Sequence, residues 1–403
     1  MRRWPLIGFL VGTALFTLAN GMFNLLVGPA VESRGHTEAM IGAIVATGSI
    51  SSLALRIPAG NAFRSGRATL LVLVGSFLAA IGYVLLPMAS AAPLLAVLSA
   101  LQGAGFAVAT TAGMAALMER GPAKVGAGSL MGWYTGSIGA GYALAGFVGG
   151  TLADAIGLRG ALAVSAVVAL VSGWVTTRSI GHLPRHRADV DDGAPPLLGW
   201  VRGMPAGVWL GFAIAVYINL VNGGMNAFFP LYALGLGLSL SQIGVLSGIH
   251  ASLASTVRFG VGPLLGRASY RGVTVAMVGL TGLGVTCIAV PRGFMPLVLL
   301  VAMVGLARGV LRVVSGAIVM EAAGSSSRLG GRASGIYLAG LDLGNAVGPL
   351  IGGFVAEVAG LRGSFLALGI LPAVVFMAAG VALSGRRRSG EPAAEAGFKP
   401  EAP

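Results

Sequence analysis

Two arginines lie four residues apart in the middle of a long apolar segment. Arg308 and Arg312 occupy the centre of residues 296–320, and side chains four apart share one face of a helix. Two guanidinium groups on an apolar face repel each other and lose hydration unless an anion lies between them. Arginine binds carboxylate and phosphate groups through paired hydrogen bonds. The pair therefore predicts a binding site for an anionic group.

Two titratable residues lie in other apolar segments of the second half, one of them at a depth similar to that of Arg308 and Arg312. Asp342 is the only carboxylate at that depth, and it either pairs with Arg308 or Arg312 to hold two segments together or acts as a proton-coupling residue. Even if it pairs, one arginine keeps its charge for an anionic substrate. His250 is the second coupling candidate because histidine changes charge near neutral pH. The alternative for His250 is a hydrogen-bonded packing role.

Amide and phenol side chains recur on matching helix faces. Asn20 and Asn24 are four apart, and Asn222 and Asn226 repeat this spacing in the second half. These amides either bind polar groups of a substrate or hydrogen-bond the two halves together. Two further corresponding residues are expected in a cavity wall or in packing contacts: Tyr134 and Tyr337.

A further set of charged residues is expected near one membrane face. Arg56 and Arg258 correspond at an offset of 202 residues, as do Glu119 and Glu321. A feature present in both halves is expected to be architectural. We therefore interpret these four residues as helix-end charges and as members of a gate, a group of charges that closes one end of the molecule. Direct ligand binding is the alternative. The same gate is expected to include two loop arginines: Arg64 and Arg67.

The whole chain of 403 residues repeats itself at an offset of 202 or 203 residues. The segment NGMFN at 20–24 corresponds to NGGMN at 222–226, and LRG recurs at 158–160 and 361–363. Such an offset indicates duplication of an ancestral unit. The polar groups without a counterpart are Arg308, Arg312, Asp342 and His250, all in the second half. We therefore expect substrate specificity to lie in the second half.

Composition places these segments in lipid. Hydrophobic residues make up 56% of the chain, charged residues 10%, and the mean hydropathy is +0.88, whereas soluble domains carry about 25% charged residues. Twelve segments have the length and apolarity of a membrane-spanning helix. They run near 5–28, 40–62, 69–88, 93–118, 127–151, 160–178, 205–230, 240–264, 273–291, 296–320, 332–356 and 363–384.

Charge placement predicts orientation and excludes other functions. With the N-terminus inside, 18 of the 26 Lys and Arg residues fall in cytoplasmic segments, 4 in outer segments and 4 within spans, as the positive-inside rule requires. The net charge of +13 is thus a topology signal and a contact with anionic lipid, with no nucleic-acid partner expected. No Gly-Lys-Ser/Thr sequence follows a glycine-rich run, and Cys287 is the single cysteine, so no cofactor or metal is expected.

Two motifs resemble those of the major facilitator superfamily. GPLIGG at 348–353 is similar to the GPxxGG element of that family, and Arg64, Gly66 and Arg67 fit its loop motif, with Phe63 in place of the motif's acid. The twelve-span repeat extends the resemblance over residues 5–385. It implies an all-α membrane protein of two pseudo-symmetric six-helix bundles, with spans 1 and 7 lining a central cavity.

We therefore predict bundles at 1–178 and 205–385, a cytoplasmic linker at 179–204 and a disordered cytoplasmic tail at 386–403. The predicted protein is a monomeric secondary transporter of the inner (plasma) membrane with both termini in the cytoplasm, working by alternating access. Its expected activity is proton-coupled efflux of a small organic solute, a drug or metabolite that is possibly anionic. Proton-coupled uptake of an organic anion is the alternative, and a membrane enzyme or lipid-handling protein is a remote one.

Overall fold

The computed structural model describes residues 4–63, 65–120, 127–182, 203–265, 269–290, 293–324 and 327–389. These residues are almost entirely helical, and no strand occurs among them. Helices satisfy every backbone hydrogen bond within one segment, which is the requirement that a hydrocarbon solvent imposes. Most of the predicted linker and tail, 183–202 and 390–403, lies outside the described residues.

Two long helical segments are each divided by a glycine in the left-handed region. Gly157 (φ 77°) divides Ala127–His182, and Gly360 (φ 72°) divides Ser327–Ser389; only glycine adopts this conformation without a steric penalty. The helices are α1 Trp4–Glu32, α2 Glu38–Ala62, α3 Ala68–Leu85, α4 Ala92–Arg120, α5 127–156, α6 158–182, α7 Ala206–Gly235, α8 Leu240–Leu265, α9 Tyr270–Ile288, α10 Phe294–Ala323, α11 327–359 and α12 361–389.

Nine helices in the described ranges, with each divided segment counted once, are long and apolar enough to cross a membrane. Helix α8 is not among these nine. The helices extend beyond several predicted spans; α6, for example, continues from the predicted end at residue 178 to His182. The count of twelve spans stays a prediction.

The two halves of the chain contact each other mainly along three helix pairs: α2 with α11, α5 with α8, and α1 with α7. Glycines permit the closest approaches. Side chains at Gly146 or Gly150 of α5 would collide with the backbone of α8 around Gly244 and Leu240. The helices therefore meet at van der Waals distance where the bundles join, as small-residue packing in membranes requires.

Candidate functional site

Asp342 of α11 forms an ion pair with Arg56 of α2. Arg56 donates through Nη2 to Oδ1 at 3.1 Å and through Nε to Oδ2. The Arg56 side chain is 24% exposed and the Asp342 side chain is 8% exposed. The expected pairing of Asp342 with Arg308 or Arg312 is wrong, because α11 packs along α2 and directs this carboxylate across the contact between the two halves.

Arg258 of α8 lies beside the two arginines of α10. A side chain at Gly309, between Arg308 and Arg312, would meet the Ala254 carbonyl at 2.7 Å, so α8 and α10 approach closely one turn before Arg258. The positive charges of Arg258, Arg308 and Arg312 repel one another. We call these three guanidinium groups the arginine cluster.

The arginine cluster lacks acidic partners in the part of the chain that the structure describes. No carboxylate there lies within 4.0 Å of its three members. The Nε atoms of Arg258 and Arg308 are buried without a hydrogen-bond partner among the described residues, while all three side chains remain partly exposed. Unpaired buried charge is costly, so the cluster is suited to receive an anion.

A polar cavity is connected to the arginine cluster through Tyr142. Its volume is about 100 Å³. Tyr142 of α5 lines it and is an electrostatic neighbour of Arg56, Arg308 and Arg312. The polar lining residues are Asn20, Asn24, Ser49, Ser52, Ser99, Gln102, Tyr142, Asp342 and Asn345. Most of these residues belong to the first half, and they include two of the predicted substrate-binding residues: Asn20 and Asn24.

Asn20 is the centre of a hydrogen-bond network within the first half. Its Nδ2 donates to the Tyr142 hydroxyl at 2.8 Å, and its Oδ1 accepts from Tyr83 at 3.2 Å and from Gln102 at 2.7 Å. All three partners belong to the first half, so these bonds do not join the halves. Asn24 is partly exposed and lines the same cavity.

The corresponding amides of α7 are placed differently. Asn222 is buried and lines a small cavity of about 10 Å³ with His250 and Arg308. His250 contacts the Val301 carbonyl through Nδ1 at 3.3 Å, and its Nε2 has no partner among the described residues. Asn226 is exposed and lines neither cavity.

The two predicted cavity tyrosines occupy different environments. Tyr134 is buried against Phe9 and donates to the Thr110 carbonyl at 3.1 Å, so it makes packing contacts away from the two cavities. The Tyr337 hydroxyl lies 3.1 Å from Ser315 Oγ and 3.5 Å from the Arg312 carbonyl. Tyr337 therefore supports the α10 backbone that carries the arginine cluster.

The remaining predicted gate residues do not converge with the arginine cluster. Glu321 accepts a 2.6 Å hydrogen bond from Tyr270 and joins α9 to α10. Glu119 lies at the end of α4, and Arg67 is exposed in a short 3₁₀ helix. Arg64 lies outside the described residues. Arg258, predicted as a gate residue with them, lies beside the arginines of α10, and its gate role stays a prediction.

Two carboxylates bind helix N-termini at one end of the bundle contact. Asp154 of α5 accepts from the Leu240 and Ser241 amides of α8 at 3.2 and 2.7 Å. Glu357 of α11 accepts from the Ala39 amide and the Thr37 hydroxyl of α2 at 3.1 and 2.9 Å. We call this the capped end. Sequence analysis missed both residues, although their offset of 203 residues was available as a signal.

The contacts at the opposite ends of the same helices are sparser. A side chain at Gly132 of α5 would meet no atom within 4 Å, whereas one at Gly136 would still meet Phe259 of α8 at 3.8 Å. Ile57 of α2 is 52% exposed, Trp133 of α5 is 47% exposed and Phe259 of α8 is 78% exposed. A side chain at Gly335 of α11 would meet no atom within 4 Å. We call this the open end. The two halves are thus joined by hydrogen bonds at the capped end and packed less closely at the open end, with the polar cavity between.

The arrangement can bind a polar solute. No group of three or more His, Cys, Asp or Glu residues in the described ranges is placed to hold a metal ion. The groups that converge are guanidiniums, amides and hydroxyls, which bind oxygen-rich anions through hydrogen bonds.

The family model described as Major Facilitator Superfamily matches residues 9–328 and 270–403. Two relatives, both multi-drug resistance efflux pump PmrA from strains of Streptococcus pneumoniae, are 27% identical over 161 residues. That alignment spans 39% of this chain and 40% of the pump.

Solved structures share the fold over nearly the whole chain. A bacterial homologue of the human lysosomal transporter Spinster, inward-facing and unoccupied, has a TM-score of 0.74 at 15% identity, covering 97% of this chain and 99% of that one. A variant of the nucleoside transporter NupG has a TM-score of 0.75 at 15% identity, covering 93% and 99%. These likenesses confirm the predicted all-α fold.

Proposed function

The chain belongs to the major facilitator superfamily, and from this premise we propose that it exports a small organic anion. Membership makes it a multi-pass membrane transporter of a small solute and not an enzyme. Efflux is supported by the partial likeness to PmrA, a protein named as a multidrug efflux pump. The anionic substrate is supported by the arginine cluster.

The observation that carries this proposal is the lack of acidic partners around Arg308 and Arg312 in the described part of the chain. A lipophilic cation entering this region would add to three positive charges and be repelled. An anion would pair with guanidinium groups that already carry the cost of partial burial. The substrate's polar part would bind the amides and hydroxyls of the polar cavity.

The transport cycle follows from the contacts at the two ends. We assign the open end to the cytoplasm of a cell whose inner (plasma) membrane holds the protein as a monomer, so solute enters the cavity from inside. Opening the capped end requires α2 to leave Glu357 and α8 to leave Asp154. The bundles then rock about the central site, as in other repeat-built transporters.

Asp342 is the proposed proton-coupling residue, with His250 as the second candidate. Protonation of Asp342 would neutralise its charge, weaken the ion pair with Arg56 and loosen α2 from α11. In pH-gradient transport, Asp342→Asn is expected to lower the driven rate about tenfold or more while leaving counterflow exchange active. A variant that keeps the full gradient-driven rate would show that the proton binds elsewhere.

The test of the substrate class is transport into proteoliposomes holding the purified protein. Benzoate and isophthalate are compared with the lipophilic cation tetraphenylphosphonium, under pH gradients of both signs. We expect anion transport, strongest in the direction of efflux, and loss of about tenfold or more in Arg308→Gln and Arg312→Gln.

The matched control is Arg362→Gln, because Arg362 is exposed and lies at the turn between α11 and α12, far along the chain from α10. It should transport as the unmodified protein does. Transport of the cation alone, or anion transport unchanged in both α10 variants, would contradict the anion proposal. If the pH gradient drives the anion only toward the cytoplasm, the protein takes up its substrate and does not export it.

A further inference from the structure

We propose that Arg258 completes the anion site and that the substrate therefore carries a compact dianionic group. Such a group is a phosphate monoester or two carboxylates on one ring. The proposal rests on the proposed function, since it concerns the charge of the solute bound by Arg308 and Arg312. It assigns to Arg258 a role in substrate selection rather than in the gate.

The geometry comes from the contact between α8 and α10. Gly305 lies against the His250 backbone, and Gly309 lies against Ala254 and Val257. Each glycine lets the neighbouring helix approach where a side chain would keep it away. Arg258 follows Val257 directly, and its charge interacts with that of Arg312.

The unpaired atoms of the arginine cluster come from both helices. Arg258 on α8 and Arg308 on α10 each bury an Nε–H without a hydrogen-bond partner among the described residues. A guanidinium carries five N–H donors in a fixed fork. One carboxylate has two oxygens, which accept hydrogen bonds from the paired N–H donors of one guanidinium. A phosphate monoester or a dicarboxylate presents three or four oxygens and can bridge forks from two helices.

The balance of charge at the arginine cluster also favours a dianionic ligand. The Arg56–Asp342 pair compensates itself, which leaves the three positive charges of Arg258, Arg308 and Arg312. A monoanion leaves two of these uncompensated, whereas a dianion leaves one. Interactions between charges are strong where water is partly excluded, so the site should discriminate by ligand charge and not only by shape.

The test compares three ligands that share one ring: benzoate, isophthalate and phenyl phosphate. Their affinities for the purified full-length protein are measured by calorimetry, for the unmodified protein, Arg258→Gln and the exposed control Arg362→Gln. We expect the unmodified protein and the control to bind each dianion about tenfold or more tightly than benzoate. In Arg258→Gln this preference should fall to about threefold or less, with benzoate affinity little changed.

The outcomes separate the two proposals. If Arg258→Gln keeps the full dianion preference, the inference is overturned while the anion site of α10 stands. If the unmodified protein binds none of the three ligands but binds tetraphenylphosphonium, the proposed function itself fails. Should Arg258→Gln not fold, the unmodified protein still decides, because equal affinities for benzoate and both dianions contradict a three-arginine site.

Discussion

Residues of one type and one spacing take different roles according to what surrounds each side chain. Asn20 and Asn24 share a helix face, yet Asn20 is 4% exposed and makes three side-chain hydrogen bonds, while Asn24 lines the polar cavity. Buried donors and acceptors are costly when unpaired. We therefore expect Asn20 to serve stability and Asn24 to serve binding.

Replacing each asparagine by alanine should separate these roles. Asn20→Ala leaves Gln102 and Tyr83 without their buried acceptor and should lower the free energy of unfolding by about 2–4 kcal/mol. Asn24→Ala should change it by less than about 0.5 kcal/mol and weaken substrate binding instead. Unfolding in mixed micelles and ligand calorimetry measure the two effects; equal losses of stability would show that the contrast is wrong.

At the scale of elements, the two halves are held together by helix N-termini and glycine contacts. Asp154 and Glu357 accept from the first amides of α8 and α2, where the helix dipole favours a negative charge. The glycines of α5 lie one and two turns along the same contact. Charge and close packing therefore act together at the capped end, and each can be changed separately.

Neutralising the caps should favour opening of the capped end. Each exposed cap contributes about 0.3–1 kcal/mol, so Asp154→Asn with Glu357→Gln should shift the ratio of open to closed forms by about threefold to thirtyfold. Distances between spin labels on α2 and α11 report the shift. Glu32→Gln is the control, since Glu32 is exposed at the same end. An unchanged distance distribution in the double variant would refute a holding role for the caps.

A larger side chain at Gly150 should also favour opening of the capped end, in this case through a steric clash. A valine there would collide with the Leu240 carbonyl and force α5 from α8. Gly150→Val should therefore depopulate the form closed at the capped end and slow transport about tenfold or more. Gly132→Val in the same helix meets no atom within 4 Å and should transport normally. Normal transport by Gly150→Val would mean that this contact is not required in the cycle.

For the whole molecule, the internal repeat and the apolar composition were enough to predict the all-α transporter fold, because a lipid solvent leaves the chain few alternatives. The partner of Asp342 was not predictable, since an apolar pattern locates a residue along a helix but not the neighbour it faces. The sequence singled out Arg308 and Arg312, whereas Arg258 joins them only through the glycine contact of α8 with α10. Asp154 and Glu357 correspond in the repeat, but the offset alone does not show which helix N-termini they bind.

The measurement that tests the central claim most directly is the position of a bound anion. Crystals of the unmodified protein soaked in an iodinated isophthalate would show the iodine by anomalous diffraction. We predict a single strong peak beside the arginine cluster, with carboxylate density within hydrogen-bond distance of Arg308 and Arg312, and no such peak in Arg308→Gln with Arg312→Gln. An anomalous peak elsewhere in the cavity, or one that persists in the double variant, would contradict the assignment of these arginines as the anion site.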